Sequence, residues 1–105
     1  MSRTLPEPSV DDLDLTAILG ALADPARRTM MTAMYRGPEP FDCSANTWCA
    51  DLDITPPTVS HHFRMLREAG LTRTVVEGRG RTITVRREDL EKRFPGLLSA
   101  VLGRD

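Results

Sequence analysis

Residues 55–71, TPPTVSHHFRMLREAGL, decide the reading of this 105-residue chain. Thr55 offers a hydroxyl as N-cap, and Pro56 suits the first helical position, where a missing N–H costs nothing. Val59, Phe63, Leu66 and Gly70 then recur near a 3.6-residue period, so one face of the predicted helix is built for a core. The opposite face carries Pro57, Thr58, His61, Arg64, Met65 and Glu68, with Ser60 and Arg67 on a flank. Short polar and basic groups near the N-terminal end of a helix suit base edges and phosphates. Gly70 stops the helix and a strand-like run follows.

Downstream, 72–77 and 81–86 are rich in Thr, Val and Ile and flank Gly78-Arg79-Gly80. Two β-prone runs joined by a short glycine turn predict a hairpin whose tip projects Arg79 and Arg81. A last helical segment begins near Glu88, is interrupted at Pro95-Gly96, and carries a ridge of Leu97, Leu98, Val101 and Leu102. That ridge is too apolar for a short exposed tail, and a second copy of the chain would cover it. Upstream, 14–23 holds Leu15, Ile18, Leu19 and Leu22 at helical spacing. Asp24-Pro25 restarts a second helix to about Arg36, with Met30, Met31 and Met34 as core filling, and Gly37-Pro38 ends it. Residues 38–44, PEPFDCS, read as a loop, and a third helix spans about 45–52. Residues 53–55 are the turn into the fourth helix. Residues 1–12 are polar, contain Pro6 and Pro8, and read as a flexible tail. The remainder, 13–105, is one domain for DNA binding and dimerisation.

Charge is distributed unevenly. The net charge is −1, yet residues 1–53 hold four Arg against nine acids, while 54–105 hold ten Arg or Lys against six. Seven Arg lie between Arg64 and Arg87 against Glu68 and Glu77. A local basic surface on a near-neutral protein is the footprint of a domain that docks one face on a polyanion. No apolar run approaches the ~20 residues of a membrane span, and the N-terminal segment lacks the apolar centre of a signal peptide. The expected location is therefore the cytoplasm, with no membrane partner, and with thiols rather than structural disulfides.

The order helix, helix, helix, turn, helix, hairpin, helix predicts a winged helix-turn-helix: mainly α with a β-hairpin wing. The major groove admits the fourth helix with its first turns nearest the bases. Pro57 lies on the DNA-facing side, Thr58, Ser60 and His61 can reach those edges, Arg64 can reach a guanine edge or a phosphate, and Arg67, Arg79 and Arg81 suit phosphates, with entry of the wing into a minor groove as the alternative. His62 sits beside the apolar face and reads as a packed residue. PTVSHHFRMLREAGL (57–71) followed by EGRGRTITV (77–85) resembles the recognition helix and wing of the ArsR/SmtB regulators, and ADPARR (23–28) resembles their upstream segment. The likeness runs from about Leu15 to Val85. It implies a homodimeric repressor of double-stranded operator DNA, paired through its first and last helices and released by an effector.

The effector is less legible. Metal-sensing relatives carry a Cys-x-Cys pair where this chain has Ser44 and Asn46, and a second family site uses histidines on the last helix, where 88–102 has none. No metal and no cofactor are expected. Cys49 matches a third cysteine of arsenic-responsive relatives. Cys43 and Cys49 flank Trp48 and leave three readings open: a reversible redox pair, thiolates for a soft metalloid, or small apolar fillers. In one intact helix they would stand ~9 Å apart along the axis, too far for a disulfide, which needs Cα atoms within ~7 Å. Bonding within a subunit therefore requires Cys43 in the loop or an unwound first turn, and either strains the helix that supports the fourth; a bond between subunits is the alternative. Two readings of another class are a small thiol peroxidase using these cysteines and a winged helix that binds only proteins. The chain shows no Ser/His/Asp arrangement or phosphate loop for the first, and the second does not require arginine on helix and wing.

Overall fold

The computed structural model describes residues 2–42 and 45–103. Its elements run β1 (Ser2–Thr4), a 3-10 turn (Val10–Asp12), α1 (Leu15–Leu22), α2 (Pro25–Arg36), β2 (Phe41–Asp42), α3 (Ala45–Leu52), α4 (Pro56–Glu68), β3 (Thr72–Glu77), β4 (Gly80–Val85), α5 (Arg87–Arg93) and α6 (Leu97–Leu102). The four strands form one antiparallel sheet in the order β1-β3-β4-β2.

Each helix boundary has a local cause. Asp14 accepts from Ala17 N to start α1, and Asp24 accepts from Ala26 N and Arg27 N to start α2 behind Pro25. The two arginines of ADPARR turn back on α1. Arg27 Nε donates to the Ala21 carbonyl at 2.7 Å, and Arg28 Nη1 donates to Leu22 and Ala23. These bonds satisfy carbonyls that the end of α1 leaves unpaired. The corner between α1 and α2 is thus fixed by one hexapeptide. Asp53 takes a left-handed φ of 55° in the turn from α3 to α4, a conformation that Asp tolerates better than most residues.

The start of α4 differs from expectation. Thr55 makes no side-chain cap; its Oγ1 lies 3.0 Å from Thr58 Oγ1 instead. The end of α4 matches it. Gly70 has φ 91°, its N–H bonds to the Arg67 carbonyl, and the Leu71 N–H bonds to the Leu66 carbonyl. That pair of bonds is a Schellman ending, which places a left-handed residue at this position. A Cβ on Gly70 would also run into Leu13 and Pro8.

The core is continuous. Ile18 and Leu22 of α1, the three methionines of α2, Trp48 of α3 and Val59, Phe63 and Leu66 of α4 pack together. The sheet closes them with Leu71, Ile83 and Val85. In β3 and β4 the buried positions alternate, Thr72 and Thr74 facing Val85 and Ile83 in register, so one side of the sheet lies on the helices. Gly78 supplies a positive φ of 61° at the first of two loop residues, the arrangement of a tight hairpin turn.

Three regions depart from the sequence reading. Residues 2–12, expected as a flexible tail, dock on the sheet. β1 pairs with the edge of β3, and Glu7 makes ion pairs with Arg73 (2.8 Å) and Arg86 (3.1 Å). The pairing partners lie some seventy residues away, so local composition gave no sign of them. Within 38–44, expected as a loop, Phe41 and Asp42 pair with Ile83 and Thr82. The Phe41 ring packs on Trp48 at 5.7 Å. Of the C-terminal ridge, Leu98 and Leu102 are buried within the same subunit, where α6 lies against α2, and Val101 remains exposed. Leu15 and Leu19 of α1 are exposed as well, at 42% and 47%.

Candidate nucleic-acid interface

Six of the eight residues assigned from sequence to DNA contact converge in space. Pro57, Ser60, His61 and Arg64 from the solvent face of α4, Arg67 from its flank, and Arg81 from β4 line one open depression of about 400 Å³. It lies between helix and hairpin, and none of its lining residues is acidic. Arg64 Nη2 lies 3.4 Å from His61 Nδ1. Arginine only donates, so His61 Nδ1 acts as acceptor in this pair. The Arg67 Nε is buried and has no hydrogen-bond partner among the described residues. The other two residues lie apart. Arg79 is exposed at the hairpin tip. Thr58 sits half-buried on the first turn, its hydroxyl engaged with Thr55.

The basic cluster read from sequence splits in two. Arg73, Arg86 and Arg87 are held by acids: Arg73 and Arg86 by Glu7 and Asp89, Arg87 by Glu39. Arg86 is a structural cation. Its side chain is 2% exposed, and it also donates to the Pro8 carbonyl at 2.7 Å. The hydrogen bond that Arg73 Nε donates to Glu7 raises the Arg73 pKa above its usual value, against the opposing effect of burial. By contrast, none of the ion pairs among the described residues involves Arg64, Arg67, Arg79 or Arg81. Within this cluster, those four are therefore the cations left for a polyanion.

A buried network, absent from the sequence reading, supports α4 from behind. His62 is buried, as its place beside the apolar face predicts, and its Nδ1 lies 3.3 Å from Arg27 Nη1. Because arginine donates, Nδ1 carries the lone pair and the ring is neutral with its proton on Nε2. Burial lowers the His62 pKa, and the Arg27 and His61 charges add to this, while Asp24 opposes it. Burial alone would raise the Asp24 carboxyl, but the N–H groups of Arg27 and Ala26 and the Arg27 charge hold it low. The signal for this network was present in ADPARR, but the distance of 35 residues to His62 hid it.

The cysteine expectation gains no geometry. Cys49 is half-buried on α3 and packs against the core. Cys43 and the neighbouring Ser44 lie outside the described residues. Among the described residues no three His, Cys, Asp or Glu side chains converge as a metal site. No helix there is long and apolar enough to cross a membrane.

A helix presented outward beside a basic hairpin, on a three-helix support, defines the winged helix-turn-helix class. The family described as "Bacterial regulatory protein, arsR family" matches residues 24–74, from the cap of α2 into β3. The chain is 30% identical over 92 residues to an uncharacterized HTH-type transcriptional regulator, YceK, of Bacillus subtilis (strain 168), covering 87% of this chain and 89% of that protein. It is also similar to the crystal structure of an ArsR family transcriptional regulator, with a TM-score of 0.64 and 29% identity, over 82% of this chain and 90% of that one. The chain belongs to the ArsR family of transcriptional regulators. The thiol peroxidase considered from the cysteines is set aside accordingly.

Proposed function

We propose that this protein is a sequence-specific repressor that binds operator DNA with α4 in the major groove and the β3–β4 wing on the flanking backbone. The observation that carries this reading is the acid-free depression where Ser60, His61, Arg64, Arg67 and Arg81 meet. Pro57, Thr58, Ser60 and His61 lie on the turns that enter a groove first, and Arg64 is placed for a guanine edge. Arg67, Arg79 and Arg81 serve phosphates. A gel shift with the duplex upstream of the protein's own gene, titrated with salt against a random duplex, tests it. Specific binding with a steep negative slope is expected. Equal weak binding to both duplexes contradicts it.

The working unit on this reading is a homodimer in the cytoplasm. Leu15 and Leu19 on α1 and Val101 on α6 are the large apolar side chains left exposed among the described residues. They belong to the first and last helices, and pairing would cover them. Leu19→Glu should convert the dimer to a monomer in analytical ultracentrifugation and weaken operator binding in parallel. Release by thiol chemistry at Cys43 and Cys49 rests on their sequence spacing. Diamide should weaken binding, dithiothreitol should restore it, and Cys43→Ser or Cys49→Ser should abolish the response; an unchanged response in both variants removes that switch.

A further inference from the structure

The N-terminal strand changes what the wing is. β1 pairs antiparallel with β3 in the register Ser2–Glu77, Arg3–Val76 and Thr4–Val75, and the Leu5 N–H continues it to the Thr74 carbonyl. Val76 in turn pairs with Arg81 of β4. Residues directly opposite one another in antiparallel strands point to the same side of the sheet. Arg3, Val76 and Arg81 therefore form one cross-strand row on one face. It is the face that carries Thr72, Thr74, Ile83 and Val85 onto the helices, and Arg81 on that face lines the depression beside α4. With strands ~4.8 Å apart, the Cα atoms of Arg3 and Arg81 are about 10 Å from one another.

Arg3 is exposed, and none of the ion pairs among the described residues involves it. Its backbone is held. Glu7 grips Arg73 and Arg86, the Pro8 carbonyl accepts from Arg86, and the Val10 carbonyl accepts from Arg93 at 2.7 Å. A cation on a fixed strand loses less freedom on binding than one on a free arm. We infer that β1 makes the wing three-stranded at its tip and that Arg3 is an additional phosphate-contacting residue, extending the basic surface of Arg81 beyond β3. This rests on the DNA-binding reading above and adds to it a contact that the β3–β4 hairpin alone would not make.

The test is the salt dependence of operator binding by the full chain carrying Arg3→Ala, Arg3→Lys or Arg81→Ala, each checked by circular dichroism and thermal melting. One lost phosphate contact should weaken binding about five-fold per bound subunit near 0.15 M salt and reduce the log–log slope by about 0.9. Arg3→Ala should show this loss on operator and random duplex alike, and Arg3→Lys should keep the wild-type slope. If Arg3→Ala binds like wild type while Arg81→Ala is weakened, the inference fails and the DNA-binding reading stands. If the wild-type protein shows no salt-dependent binding, both fail.

Discussion

The wing has a base and a tip, and both are rich in arginine. At the base, Arg73, Arg86 and Arg87 meet Glu7, Asp89 and Glu39 and hold the N-terminal segment and α5 to the sheet. At the tip and across the depression, Arg79, Arg81, Arg64 and Arg67 meet no acid among the described residues. In a sequence the seven are alike, because their acidic partners come from distant positions. Within this cluster, folding brings carboxylates to the structural cations, and those left without one are the cations proposed to bind. On the proposed reading, the same residue type serves stability at one end of a hairpin and recognition at the other.

The largest effect expected from this contrast is at the base. Arg86→Met leaves Glu7 and Asp89 without their buried cation, and breaking a buried pair in this way costs about 3 kcal/mol. A urea titration should show the midpoint falling at constant m-value, with the salt slope of DNA binding unchanged in the folded protein. A loss below ~1 kcal/mol would mean that the base is held by something other than its ion pairs. Next comes the recognition face. Arg64→Ala should reduce discrimination between operator and mismatched duplex by ~1–3 kcal/mol, with melting unaltered. Arg79→Ala should instead weaken binding on every sequence. Equal losses on cognate and random duplex for both variants would erase the division between base reading and phosphate contact.

The support behind α4 gives a pH signature. His62 has its pKa lowered on folding by burial, so the unfolded chain binds the proton more readily. Stability contributed by the neutral ring is complete above the unfolded pKa of about 6.5 and is lost as pH falls through and below it. The melting temperature of the wild type should decline between pH 7 and 5 more steeply than that of His62→Asn. Parallel profiles would show that the contact with Arg27 does not govern the titration. The smallest effect is at Thr55. Its hydroxyl bonds Thr58 rather than a backbone N–H, so Thr55→Ala should cost under ~0.5 kcal/mol, less than the ~1 kcal/mol of a working N-cap.

Legibility followed sequence distance. α4 was readable because its apolar repeat, Pro56 and Gly70 are all local signals, and the β3–β4 hairpin because Gly78 sits between two Thr- and Val-rich runs. The capping of α2 by Asp24 was readable for the same reason. β1 and β2 were not: three and two residues carry no period, and each exists only because a strand edge offers it partners. Arg86 was misread because an arginine is exposed by default, and only Glu7, Pro8 and Asp89 together make its burial tolerable. Leu98 and Leu102 looked like an interface because their cover, α2, lies some seventy residues earlier. Within the candidate site, all six lining residues could be chosen from the helix face and the hairpin alone. The acid-free depression could not, since it depends on which acids folding leaves elsewhere.

The separation of the two ends of the wing can be measured with one pair of variants. Arg81→Gln and Arg73→Gln remove the same charge from the same hairpin, on opposite faces of the sheet. In a salt titration of operator binding, Arg81→Gln should flatten the log–log slope by about 0.9 per bound subunit, and Arg73→Gln should leave it unchanged. An equal flattening by both, or by Arg73→Gln alone, would contradict the assignment of the α4-facing side as the DNA surface.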